Sequence, residues 1–235
     1  MAVCGTYSGL TESRSASNTR GIVRDALGIG VASGAYALSF GAISVTAGLS
    51  LLQTCALSIL MFTGASQFAL VGVLGAGGSV WAGAATAALL GARNGLYSLR
   101  LSSLLDGGPW RRVAASQFVI DESTAMAIGR DEPEASRFAF WATGFSVFVL
   151  WNLGTLIGAL AIHAIPNPRV LGLDAAPPAA YLALLAPRLR AREPIAIALC
   201  AGVVALALVP VVPPGVPLLV VAVLVGLFGL RGAKA

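Results

Sequence analysis

Residues 49–76 read LSLLQTCALSILMFTGASQFALVGVLGA, an apolar run of membrane-spanning length with Thr63-Gly64-Ala65-Ser66-Gln67 near its middle. A Gln amide without partners in hydrocarbon costs roughly 2–7 kcal/mol by transfer estimates. A segment that carries this cost lines a cavity or a substrate path, or bonds across a helix interface. Small residues beside the Gln also let a second backbone or a ligand come close. The patch therefore favours a polytopic membrane protein with a polar site at mid-depth, and transport is the first functional expectation.

Composition narrows the alternatives. The 235 residues are 57% hydrophobic and 11% charged, whereas a soluble domain carries about 25% charged residues. Such a chain cannot cover itself with polar surface, so lipid is the natural surround. The formal net charge is +5. The arginines sit mostly between apolar runs, which fits membrane topology signals, and no aromatic–basic interleaving of the kind that binds single strands is present. No nucleic-acid partner is expected. Cys4, Cys55 and Cys200 lie far apart, with no CxxC and no Cys/His cluster, so neither a disulfide framework nor a metal site is supported. The single histidine, His163, ends an apolar run before Pro166 and fits an interfacial or packing role better than a proton relay. Residues 1–20 are rich in Ser, Thr, Gly and Arg, and they read as a disordered cytoplasmic tail without a cleavable secretory signal. Residues 21–235 read as a single transmembrane domain.

A first apolar stretch runs from about Ala26 to Leu49, and 51–76 holds the polar break. Gly77-Gly78 marks a turn. The run 79–105 contains Arg93, Asn94 and Arg100, and 106–112 reads as an interfacial loop with Trp110 as headgroup anchor. Residues 113–129 are short and acidic and suit a half-helix, a re-entrant element or a buried span. The run 138–165 is expected to break at Trp151-Asn152 and Gly154. Pro177-Pro178 makes 170–187 irregular or kinked, and two almost wholly apolar runs, 194–210 and 216–230, close the chain. The expected fold is all-α: a polytopic transmembrane bundle of about seven or eight spans with broken or half helices at mid-membrane. Basic clusters at the start, at 130–137, at 188–192 and at the C-terminus belong in the cytoplasm of a multi-pass inner-membrane protein. Eight spans satisfy all four and leave Arg111 and Arg112 outside. Ala65-Ser66-Gln67-Phe68 recurs as Ala115-Ser116-Gln117-Phe118. That match hints at an internal repeat of broken segments, although four residues in an alanine-rich chain carry little weight alone.

Candidate site residues follow from these breaks. An unwound turn at Gly64-Ala65-Ser66-Gln67 would offer backbone groups to a charged ligand. The alternative is a helix interface. Arg93 and Tyr97, four residues apart, share a helix face beside Asn94. A mid-depth guanidinium needs a carboxylate, either from Asp121, Glu122 or Asp174 or from a substrate. Asp121-Glu122 suits a proton carrier or the counter-charge for an ammonium group, or a solvated helix start. Asn152 has ligand-binding and helix-bonding readings, and Asp174 reads also as a helix-start signal. No nucleophile–base–orienter set, GxSxG or GxxxxGK[ST] is present, so no enzyme activity, catalytic residue or cofactor is expected.

These residues carry a family likeness. Phe62-Thr63-Gly64-Ala65-Ser66-Gln67-Phe68 followed by Val71-Gly72 resembles the FAGASQFA-type signature of the AzlC-like branched-chain amino acid permeases, large subunits of two-component exporters. In the same order, Ala92-Arg93-Asn94-Gly95-Leu96-Tyr97 resembles the family's N-x-R-H-x-L-Y segment, and Asp121-Glu122 its T-D-E. Trp151-Asn152-Leu153-Gly154-Thr155 is similar to W-x-x-G-T, and Leu171-Gly172-Leu173-Asp174 with Pro178 to L-G-L-D-x-x-x-P. The likeness covers about residues 21–230. Asn94 stands where the family usually has His, Gly91 where it has Asn, and Ile120 where it has Thr. The resemblance implies export of valine, leucine and isoleucine driven by the proton motive force. It also implies a small AzlD-like membrane subunit as partner and no ATPase subunit. A substrate would contact Gly64, Ala65, Ser66, Gln67, Arg93, Asn94, Tyr97 and Asn152, with Asp121, Glu122 and Asp174 as proton-coupling groups or counter-charges. A non-transporting membrane scaffold, or an uptake permease or channel for another small zwitterion, remains the alternative.

Overall fold

The computed structural model describes residues 6–105, 108–162, 186, 189 and 191–232. Among them it contains nine helices and no strand. They are α1 (Thr6–Thr46), α2 (Leu51–Leu60), α3 (Ala65–Gly75), α4 (Val80–Leu101), α5 (Pro109–Gln117), α6 (Asp121–Ile128), α7 (Pro133–Ala161), α8 (Arg192–Leu208) and α9 (Val216–Gly232). Thr19–Thr46 of α1 and the whole of α7 are long and apolar enough to cross a membrane, while α2, α3 and Val216–Gly226 of α9 are shorter apolar helices.

Helix α1 includes residues 6–20. No proline precedes Pro109, so nothing in that stretch removes a helix hydrogen bond. The chain divides into two compact units. One comprises Met1–Ala37 and Asn94–Gly154, the other Leu38–Arg93 and Thr155–Ala235. Helices α1, α4 and α7 contribute a part to each.

In the first unit, α1 and α7 meet through small residues. A side chain at Gly30 would collide with Ser146, one at Gly34 with the Leu150 backbone, and one at Gly154 with the Gly34 carbonyl. Such contact lets two backbones approach and gain dispersion energy without a solvent-driven term. Tyr36 packs edge-on against Trp151 at 5.8 Å between ring centres. Leu101, Ala115, Val119, Ala127 and Phe140 form a core beneath α5 and α6. Phe118 sets its ring edge-on to Trp141 and Phe148, each at 5.6 Å. Ser136 donates its hydroxyl to the Ala127 carbonyl, which ties the start of α7 to the end of α6. Asp25 of α1 accepts from Arg130 at 3.5 Å.

The expected break of the long run at Trp151-Asn152 and Gly154 does not occur, because α7 is continuous to Ala161. The Asn152 amide turns back onto its own helix and donates to the Phe148 carbonyl at 2.8 Å. Gly154 serves close packing instead of a bend.

In the second unit, α1 ends at a left-handed glycine, Gly48 (φ 97°). Leu49 N–H bonds the Ser44 carbonyl and Gly48 N–H that of Val45, at 3.1 and 3.0 Å. This six-to-one and five-to-two pair closes the helix end. The device repeats after α3, where Gly77 (φ 79°) bonds Leu74 and Gly78 bonds Val73. Ser50 and Gln53 cap α2 reciprocally, at 2.8 and 3.2 Å. Gly41 and Gly158 seat the remaining turns of α1 and α7 against each other's backbones. Helices α8 and α9 pack together and leave Leu199, Val203, Leu206, Val223 and Leu224 exposed.

Candidate functional site

The polar patch folds as a broken helix in the second unit. Helix α2 stops at Leu60, residues 61–64 cross over, and α3 starts at Ala65. Gly64 takes φ 60° and ψ −83°, a backbone region that an L side chain enters only under strain. Gln67, the third residue of α3, is fully buried. Its Oε1 accepts the Gly64 N–H at 3.0 Å and its Nε2 donates to the Leu57 carbonyl at 3.1 Å. The amide is thus satisfied at both ends and clamps α3 back onto α2. Phe68 carries the clamp into the core, edge-on to Phe40 at 5.3 Å. Ser66 precedes Gln67 and is 2% exposed, yet its hydroxyl has no hydrogen-bond partner, and the Thr63 and Thr54 hydroxyls are buried without one as well. Buried polar atoms are nearly always paired. Two orphaned hydroxyls, Thr63 and Ser66, flank the Gly64 break and mark it as an unusual polar surface, and the third, Thr54, lies near the far end of α2. The first turn of α3 carries no acidic residue, so the helix itself supplies no negative charge to offset the positive end of its dipole.

The ambiguous stretch 113–129 resolves into a second broken helix, in the first unit. Helix α5 ends at Gln117, residues 118–120 cross over, and α6 starts at Asp121. Its clamp is Ser123, also the third residue of the second helix and fully buried. Ser123 Oγ accepts the Ile120 N–H at 3.2 Å and donates to the Phe118 carbonyl at 2.5 Å. Asp121 and Glu122 occupy the first turn, where negative charge meets the positive end of the dipole. Tyr97 of α4 donates its hydroxyl to Asp121 Oδ1 at 2.8 Å. Thr124 on α6 and Thr143 on α7 are buried with unpartnered hydroxyls.

The structure brings Gly64, Ala65, Ser66 and Gln67 together at one helix start, and Tyr97 with Asp121 at another. Arg93 is half-buried on the part of α4 that belongs to the second unit. Asn94 falls in the first unit, with its Oδ1 buried and unpartnered. Asn152 spends its amide N–H on its own helix. Asp174 and His163 lie outside the described residues. Ser123 and Thr124 were not singled out in sequence, and Gly91 was noted only as a departure from the family pattern. Ser123 had a readable signal, since it stands three residues after the residue that precedes the helix, the capping position that Gln67 occupies after Gly64.

A model of the family described as AzlC protein matches residues 28–165. The chain belongs to the AzlC family. The matched stretch contains both broken helices, the C-terminal part of α1 and the whole of α4 and α7, and α8 and α9 lie beyond it. Among curated proteins, the inner membrane protein YgaZ of Escherichia coli (strain K12) is 31% identical to this AzlC-family chain over 143 residues, 59% of the chain and 58% of that protein. The chain thus aligns with little more than half the length of that relative. No solved structure matches. Family membership and the long apolar helices make this an AzlC-family membrane protein.

Proposed function

We propose that the protein is a secondary exporter of branched-chain amino acids, multi-pass in the inner membrane with about seven or eight spans. In this reading it works with a small AzlD-like membrane subunit. The observation that carries the proposal is the pair of broken helices, α2–α3 inside apolar sequence and α5–α6 inside a half-polar stretch, each break clamped by a buried polar side chain. Discontinuous helices of this kind supply ion and substrate sites in secondary transporters. The first turn of α3, uncharged and lined by the Ser66 hydroxyl, suits a substrate carboxylate, with Arg93 of the same unit as a further donor; Asn94 belongs to the proposed set of substrate-binding residues. The first turn of α6, with Asp121 and Glu122, suits a coupling proton or an ammonium group. The Tyr97 phenol holds Asp121 in position. Asp174 belongs to the same proposed set of charges. An aliphatic side chain would lie against apolar walls such as those around Phe62 and Phe68.

The test is leucine efflux from cells preloaded with a leucine-containing dipeptide, with and without this gene and a small AzlD-like subunit. Faster efflux that collapses with a protonophore is expected. Unchanged efflux, with both proteins shown to reside in the membrane, would overturn the reading.

A further inference from the structure

The Ser66 hydroxyl has a specific neighbour. Among the described residues, and apart from its own chain neighbours and helix backbone, a methyl group at Gly91 of α4 would meet only Ser66 Oγ, at 3.4 Å. Gly91 sits within the 22-residue α4 and is not among the positive-φ glycines, so its backbone does not call for glycine. Alanine would be the better helix former there. The missing side chain therefore leaves open space in front of a buried, unpartnered hydroxyl. That hydroxyl sits on the second residue of an 11-residue helix with no acidic residue in its first turn.

We infer that Gly91 holds open a carboxylate subsite, in which one substrate oxygen accepts from Ser66 Oγ–H at the start of α3. The inference rests on the exporter reading and concerns a departure of this chain, Gly91 where the family usually has Asn, which leaves space for an anion in front of Ser66. The occupant is an acceptor with negative charge, because the hydroxyl must donate and the helix start presents partial positive charge. Gly91 shapes the subsite and does not itself bind. A group larger than a carboxylate, or a substrate amide with its two extra hydrogens, fits less well.

The experiment uses the full chain with Cys4, Cys55 and Cys200 replaced by serine, and Ser66→Cys as reporter. The probe is the small anionic reagent 2-sulfonatoethyl methanethiosulfonate. Labelling is expected to slow at least tenfold when Gly91→Ala is added. It is expected to slow to a similar degree under saturating L-leucine, and not under leucinamide. In the serine-bearing protein, Gly91→Ala should raise the apparent KM for leucine efflux about tenfold while the melting temperature stays at or above that of the parent. Gly91→Ser, whose hydroxyl can partner Ser66, should have the same effect on KM and covers the case in which alanine perturbs the helix. Labelling and KM unaffected by both Gly91 variants would overturn the subsite. Labelling that depends on Gly91 without any leucine protection would retain an anion-accepting space and sink the amino-acid reading instead.

Discussion

In the α2–α3 break the clamping side chain is a glutamine that reaches back ten residues to Leu57. In the α5–α6 break it is a serine that reaches five, to Phe118. Both sit third in the second helix, both are fully buried, and both accept the N–H of the residue just before that helix. The long amide grips the body of α2, whereas the short hydroxyl pins only the crossover. The backbones differ accordingly, with a left-handed glycine in one break and no positive φ in the other. The first turns then diverge in chemistry. Ala65-Ser66 adds no charge to the helix start, whereas Asp121-Glu122 puts two carboxylates there. One structural device, built twice, thus yields a surface suited to an anion and a surface suited to a cation.

The largest expected effect separates the two clamps. Gln67→Ala leaves the Gly64 N–H without its side-chain acceptor, worth about 1–3 kcal/mol when a buried donor is unsatisfied, and removes one of two donors from the Leu57 carbonyl, which keeps the Met61 N–H at 3.0 Å. Ser123→Ala leaves the Ile120 N–H with a second acceptor, the Phe118 carbonyl at 3.1 Å, so about 1 kcal/mol is expected. Thermal melts of both variants in detergent should rank Gln67→Ala well below Ser123→Ala. Equal losses would mean that the reach of the clamp does not matter.

A smaller effect tests the backbone difference. Gly64→Ala forces a Cβ into the left-handed region and should cost about 1–2 kcal/mol. Gly72→Ala, later in α3 with open space around it and no positive φ, should be neutral or stabilise by up to about 1 kcal/mol. If the same melts showed Gly64→Ala tolerated as well as Gly72→Ala, the α2–α3 crossover would not depend on its glycine.

Much of this was legible in the chain because it depends on local chemistry. A glutamine inside an apolar run, a Gly-Gly pair at a helix end and two acids before a short apolar segment each announce themselves at short range. The continuous α7 was not legible, since Asn152 looks like a break until its amide is seen bonded four residues back. Nor were the partners of the packing glycines, because Gly30, Gly34 and Gly154 are read in one dimension and meet in three. Gly91 opposite Ser66 is a contact across 25 positions of sequence, with no local pattern to betray it. Ser123 was overlooked because a serine in a half-polar segment shows no contrast, unlike a glutamine among leucines.

The smallest expected effect concerns the apparent repeat. Ala65-Ser66-Gln67-Phe68 opens α3 after its break, whereas Ala115-Ser116-Gln117-Phe118 closes α5 before its own. The two tetrapeptides therefore stand on opposite sides of their crossovers, and the counterpart of Gln67 is Ser123. Ser116 is exposed and its hydroxyl donates to Val113 of its own helix at 2.7 Å, while the Ser66 hydroxyl is buried without a partner. Ser116→Ala should change stability by no more than about 0.5 kcal/mol and leave leucine efflux at the parent rate. Ser66→Ala should cut efflux at least tenfold with little change in melting temperature. Matching losses of efflux in the two variants would restore the tetrapeptides as functional equivalents and break the correspondence between Gln67 and Ser123.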